Sequence, residues 1–343
     1  MKAIAKTKPQ KGFEIIDAQI PKINEDEVLI KVKASTICGT DLHIYKWDKW
    51  SSERIKLPRI VGHEMSGEIV EVGKNVKDLR PGDFVSVETH IICGKCYACK
   101  NNKQEVCVNL KILGIDMNGS YAEYVVVPAQ NCWKNDKTIP PEIASLKEPL
   151  GNAVDTVLSE DVSGKSILIT GCGPLGLLSI GVAKVSGAYP IIATEINEYR
   201  IKKAKEMGAD YVINPLKENV YERVMEITKG NGIDVFCEVS GNESALIEGL
   251  KAVSYGGRVS ILGLFKDEVK FDINNLVVLK GLKIYGITGR KIYSTWYKTS
   301  SLIDSGILDI SPVLTHKFKL EEFEKAFELM EKGECGKIAF IID

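Results

Sequence analysis

Hydrophobic and polar positions change their rhythm once along this chain, near residue 150. Before that point, short apolar stretches alternate with polar residues over 28–34, 67–73, 83–88 and 122–127. A period of two, rich in β-branched residues, predicts half-buried strands. Gly and Pro punctuate them, as at Pro81-Gly82. This portion reads as a small, loop-rich barrel or sandwich. Beyond residue 150 the apolar runs are short and continuous, at 166–170, 190–195, 211–214, 234–238, 257–262 and 283–286. A helical stretch through Lys184 follows the first run, and another covers 198–207. Six buried strands with crossover helices predict an α/β unit built on a doubly wound parallel sheet. A helix over 320–331 and a strand over 337–342 come last, and that strand can return to the first portion. The expected domains are therefore 1–150, completed by about 294–343, and 151–293.

Composition narrows the partners. The chain has 343 residues, 44% of them hydrophobic and 27% charged, enough for two domains with substantial cores. A net charge of −1 argues against a nucleic-acid surface, which carries a basic excess. No uninterrupted apolar run reaches the roughly 18 residues of a membrane-spanning helix, and residues 1–8 lack the pattern of a secretory signal. Nine cysteines, an odd number and clustered, fit a reducing cytoplasm better than a disulfide framework.

Four of those cysteines, Cys93, Cys96, Cys99 and Cys107, stand as C-x2-C-x2-C-x7-C. Thiolates so spaced converge on one tetrahedral zinc, and four sulfurs close its shell. That predicts a structural metal with no position left for a substrate.

Gly171-Cys-Gly-Pro-Leu-Gly176 fits G-x-G-x-x-G and sits between a predicted strand and a predicted helix. In that setting it predicts a dinucleotide site of the Rossmann kind, with Gly171, Gly173 and Gly176 letting the backbone approach a pyrophosphate. Pro174 suits a first helical turn. Glu195 ends the next predicted strand, where a carboxylate accepts from an adenosine ribose and repels a 2′-phosphate, favouring NAD over NADP. Arg200, five residues on, reads either as a contact to the adenosine, as a partner of Glu195, or as a solvated helix charge. Cys172, inside the fingerprint, reads as a small residue that fits. The sharper alternative is an oxidisable thiol beside a helix N-terminus.

Cys38, His63 and Glu64 lie outside the quartet. Together they offer thiolate, imidazole and carboxylate, a zinc set that leaves a position open. Glu148 stands just before the dinucleotide unit and could close that set. Thr40 and His43 follow Cys38 and could carry off a proton. On spacing alone, a core cysteine and a structural histidine are an equal reading.

Gly62-His63-Glu64, the cysteine quartet, the glycine fingerprint and the order of the two portions resemble the zinc-dependent medium-chain dehydrogenase/reductase family over essentially the whole chain. The stretches 38–50, 87–90, 148–153, 289–290 and 295–298 are similar to its threonine-oxidising members. The resemblance implies a GroES-like β-rich catalytic domain beside the Rossmann domain. It implies oxidation of L-threonine to 2-amino-3-oxobutanoate with NAD, and two zinc ions per subunit, one catalytic and one structural. The catalytic ion would be held by Cys38, His63 and Glu64, with Thr40 and His43 as relay and Glu148 as a catalytic carboxylate. NAD contacts would include Leu175, Glu195, Arg200, Leu262, Gly263, Leu264, Ile287 and Thr288. It also implies a cytoplasmic homotetramer.

An amino-acid substrate needs a carboxylate partner, and the planar fork of Arg290 suits bidentate pairing. Arg290 paired with Glu195 or with a cofactor oxygen is the equal alternative. Trp47 and Trp50 read as packing or subunit-contact aromatics rather than partners of the substrate ammonium. Two other functions fit the same cofactors: a sorbitol- or butanediol-type dehydrogenase, and a non-catalytic protein that binds NAD and zinc for structure. The intact set from Cys38 to Glu148 argues against the second.

Overall fold

Strand Glu27–Thr36 organises the first of two units in this computed structural model, which describes residues 1–342. Its β-branched, apolar positions are buried along most of its length. It pairs antiparallel with Glu64–Val72, with Tyr124–Pro128 and with Lys337–Ile341. The seven-stranded sheet runs in the order Cys132–Lys134, Phe84–Val87, Glu64–Val72, Glu27–Thr36, Lys337–Ile341, Leu314–Phe318, with Tyr124–Pro128 also on Glu27–Thr36. A three-stranded sheet of Glu14–Asp17, Lys2–Lys6 and Arg59–Ile60 stands beside it. The core is apolar: Ile4, Val28, Ile30, Val32, Ile69, Val85, Val127 and Phe340 are fully buried. This unit comprises Met1–Pro149, Ile292–Trp296 and the residues from Leu314 onward.

The second unit, Leu150–Lys291 with Tyr297–Val313, holds six strands. Their order is Tyr211–Ile213, Ile191–Thr194, Ile167–Thr170, Ile233–Glu238, Val253–Ile261, Lys283–Gly286, and every pairing is parallel. In chain order that is 3-2-1-4-5-6, so the connections reverse between Ile167–Thr170 and Ile233–Glu238. Ligands of such sheets bind at the carboxyl ends of the strands, at that reversal. Helix Pro174–Val185 leaves the first strand with Gly173 as its N-cap and Pro174 in its first turn. Several elements depart from the expected pattern. The helix expected over 320–331 begins as a 3-10 turn, Leu320–Glu322, before Phe323–Lys332, because the Glu322 carboxylate folds back onto the Lys319 N–H. A helix also covers Ser294–Asp304, a stretch with no expected element. Among the described residues no helix is long and apolar enough to cross a membrane.

Candidate active site

The register of one strand pair assembles the first cluster. Thr36 stands opposite Glu64, so Cys38, two residues beyond Thr36, arrives beside Gly62-His63-Glu64. Gly62 has φ +89°, and a Cβ there would lie 2.2 Å from the Tyr121 ring, so this turn requires glycine. Cys38 caps helix Gly39–Lys46, and its N–H donates to Asp41 Oδ2 at 2.9 Å. The thiol, imidazole and carboxylate of Cys38, His63 and Glu64 each place a donor atom within 4.8 Å of the others.

Behind them stand residues the sequence did not single out. Asp41 is fully buried and accepts from Tyr121 Oη–H at 2.7 Å. Its second oxygen faces His63 Nδ1 at 3.6 Å, and neither atom has a hydrogen-bond partner. Burial opposes a charge on His63, but Asp41 and Cys38, with Glu148 contributing, raise its pKa from 6.5 to about 10. Lys337 Nζ donates to both Glu64 oxygens and, at 3.0 Å, to Ile37 O. Thr36 Oγ1 donates to the same carboxylate. Lys337 and Glu64 are 3% and 1% exposed, so this is a buried ion pair. Glu148, 4% exposed, is outside the three-donor cluster, yet its charge acts on His63 and on Lys337. The donor types fit zinc, and the orphaned His63 Nδ1 facing Asp41 is the arrangement that orients a metal-ligating imidazole.

Thr40 Oγ1 lies 3.7 Å from Cys38 Sγ. His43, on the same helix, has its Nδ1 2.5 Å from Asp48 Oδ2. Trp47 packs on the first unit's core beneath Lys6 Nζ, which is 5.1 Å from its ring centroid, and Trp50 is exposed. The Trp47 contacts are those of a packing aromatic.

The quartet also converges. Cys93, Cys96, Cys99 and Cys107 place their sulfurs within 4.8 Å of one another. Cys96 Sγ is 3.5 Å from Cys99 Sγ and 3.8 Å from Cys107 Sγ. The Lys95 N–H and the Asn109 amide hold the Cys93 thiol down at about 6, while burial pushes that of Cys99 up to about 12. Four convergent sulfurs fit a closed tetrahedral zinc shell. Beside this lobe the buried Glu88 carboxylate accepts from Trp296 Nε1–H at 2.6 Å, and Trp296 stacks on Trp133.

In the second unit a cleft of about 540 Å³ opens at the carboxyl ends of the strands, lined by Thr170, Gly171, Gly173, Glu195 and Arg200 among others. A Cβ on Gly176 would lie 1.8 Å from Gly171 O, and one on Gly171 would lie 2.9 Å from Ser240 Cβ, whereas Gly173 faces open space. The turn is thus packed tightly at Gly171 and Gly176 and open at Gly173, the arrangement that lets a backbone approach a pyrophosphate. Glu195 accepts N–H bonds from Cys172, Ile196 and Asn197, which fixes its carboxylate at the cleft. Arg200 lines the same cleft, with a buried Nε that has no hydrogen-bond partner. Leu175, Leu262, Gly263, Leu264, Ile287 and Thr288 do not line it. Leu262 and Gly263 follow strand Val253–Ile261 and donate to Glu238 O, and Ile287 donates to Ile261 O at 2.8 Å. Cys172 corrects the sharper of its two readings: it is fully buried, and burial drives its thiol far above the range of a reactive thiolate. Arg290 is buried with Nη1 donating to Asn152 Oδ1 at 2.9 Å. A Cβ on Gly151 would lie 2.4 Å from Arg290 Cδ, so that glycine makes room for it.

Comparison with known proteins places the whole chain. The alcohol dehydrogenase GroES-like domain family matches residues 24–140, and the zinc-binding dehydrogenase family matches 174–305. The L-threonine 3-dehydrogenase of Thermococcus kodakarensis is 59% identical over 341 residues, covering 99% of this chain and 97% of its own. That of Bacillus subtilis is 50% identical over 341 residues, covering 99% and 98%. Among solved structures, an Escherichia coli alcohol dehydrogenase complexed with NADH aligns with a TM-score of 0.92 at 30% identity, covering 100% of this chain and 99% of its own. The 2R,3R-butanediol dehydrogenase of Bacillus subtilis aligns with a TM-score of 0.89 at 29% identity, with the same coverage. Two matched domains, two convergent donor sets and a cradled glycine fingerprint agree: the chain belongs to the zinc-binding, GroES-like alcohol dehydrogenases of the medium-chain dehydrogenase/reductase family.

Proposed function

We propose that this protein oxidises L-threonine to 2-amino-3-oxobutanoate with NAD as hydride acceptor. The observation that carries the reading is full-length identity above one half to relatives named for that reaction. Cys38, His63 and Glu64 would hold one zinc, and Cys93, Cys96, Cys99 and Cys107 another. When bound, the first supplies Lewis acidity that lowers the pKa of an alcohol, and NAD at the glycine cradle accepts the hydride. Asp41 keeps the His63 ring in its ligating orientation. Thr40 takes the substrate's hydroxyl proton and passes it to His43, one helical turn on. Glu148 adds a second carboxylate charge near His63 and offsets positive charge there. Arg290, its fork fixed by Asn152, pairs with the substrate carboxylate. Glu195 accepts from the adenosine ribose and disfavours a 2′-phosphate, which supports NAD over NADP.

The whole-chain likeness to a butanediol dehydrogenase favours a second reading, oxidation of a neutral diol. NADH formation measured across L-threonine, L-serine, sorbitol and 2,3-butanediol, with and without added zinc, separates the two. Activity on a diol without activity on threonine overturns the first. The same reading includes a cytoplasmic homotetramer. Strand Lys283–Gly286 supports assembly, since it is the last in its sheet and Ile284, Val278 and Leu279 near it are exposed.

A further inference from the structure

The chain reverses sharply after the helix that carries Thr40 and His43. That helix, Gly39–Lys46, ends at Trp47 in a left-handed conformation (φ 55°, ψ 51°), whose N–H bonds back to His43 O and Ile44 O. The reversal sets Asp48 against the His43 ring, with Oδ2 2.5 Å from Nδ1. Asp48 does not float there. Its Oδ1 accepts the Ser51 N–H at 2.9 Å, because Asp48 is the N-cap of helix Lys49–Arg54. The Trp50 ring stands edge-on to the imidazole at 6.4 Å. Lys46, three residues after His43, is directed to Glu331 at 3.8 Å.

A carboxylate only accepts, so the His43 nitrogen that faces it must carry the hydrogen. A neutral imidazole with hydrogen on Nδ1 has its lone pair on Nε2. We propose that Asp48 is a positioning residue of the proton relay: it fixes His43 in the Nδ1–H tautomer, leaving Nε2 to accept, and it holds the imidazolium once formed. The inference rests on the relay reading of Thr40 and His43. In the step, Thr40 Oγ takes the substrate proton as its own O–H breaks and an Nε2–H bond forms on His43. The imidazolium side chain, 63% exposed, then returns that proton to water. No electrons change hands in this transfer.

Asp48→Asn in the full chain, loaded with zinc and NAD, tests the idea. Asparagine keeps an oxygen for the Ser51 N–H but turns an N–H toward His43, which drives the ring to the Nε2–H tautomer. We expect kcat on L-threonine to fall by about tenfold or more near neutral pH, with the loss shrinking as hydroxide takes over at higher pH. NAD affinity should hold within about twofold and Tm within about 2 °C. Long-range ¹H–¹⁵N spectra, simple in a chain with four histidines, should move the His43 proton from Nδ1 to Nε2. On a His43→Ala background, Asp48→Asn should add no further loss. Parental kcat in Asp48→Asn while His43→Ala is slow overturns the role of Asp48 and spares the relay. Parental kcat in His43→Ala overturns the relay itself. A lower Tm with equal losses in both backgrounds reduces Asp48 to a helix cap and also overturns the proposal.

Discussion

Replacing Lys337 by methionine keeps most of a buried side chain's volume and removes its charge. In the parent, Lys337 donates to both oxygens of Glu64 and to Ile37 O. After the change, a carboxylate that is 1% exposed keeps only the Thr36 hydroxyl. Removing one member of a buried pair costs about 3–5 kcal/mol, because the other charge stays buried without compensation. At about 2–4 °C per kcal/mol, the first unit's melting transition should fall by roughly 6–20 °C in metal-free protein. Zinc held by Cys38, His63 and Glu64 brings positive charge to the same carboxylate. The gap between Lys337→Met and parent should therefore narrow in zinc-loaded protein, and Glu64→Gln added to Lys337→Met should recover most of the metal-free loss. Differential scanning calorimetry of the full chain, stripped and reloaded, measures all of these. A metal-free Lys337→Met that melts with the parent, or a loss that Glu64→Gln fails to recover, refutes the reasoning.

Three other outcomes follow from the geometry. Cys96→Ser should lower bound zinc from two ions to one per chain and open 93–107 to proteolysis, since zinc supplies on the order of 10 kcal/mol to such lobes; a protease-resistant lobe would contradict this. Gly176→Ala places a Cβ where Gly171 O now lies, 1.8 Å away, so NADH affinity read by fluorescence titration should drop by about tenfold or more. Arg290→Lys loses the planar fork, so KM for L-threonine should rise by about tenfold while KM for a neutral diol stays near the parent's; equal rises would remove Arg290 from substrate recognition.

Features written in consecutive residues were the legible ones. The quartet spans 93–107, and the glycine fingerprint spans six residues between a strand and a helix, so spacing alone states their chemistry. The convergence of Cys38 with His63-Glu64 was legible as two motifs only. What joins them is the antiparallel register of Thr36 on Glu64, which no local pattern encodes. Lys337 was read as the start of a strand, because its carboxylate lies 273 residues earlier. Asp41 and Tyr121, 80 residues apart, stayed hidden for the same reason. Asp48 stands in the sequence only as one position of the 38–50 stretch, and the left-handed turn at Trp47 brings it to the imidazole. The hairpin of Lys2–Lys6 with Glu14–Asp17 escaped notice because its second strand alternates half-buried with exposed positions and lacks a strong apolar face.

The strand that carries Lys337 also sets an order of events in synthesis. Its bond to Ile37 spans 300 residues, so the ribosome, at about 5–20 residues per second, takes roughly 15–60 s to deliver it after Cys38 has emerged. Through that interval the nascent cluster holds a thiol, a histidine and an acid without their lysine. Arrival of strand Lys337–Ile341 brings the ammonium to Glu64, so the buried ion pair is completed only with the sheet.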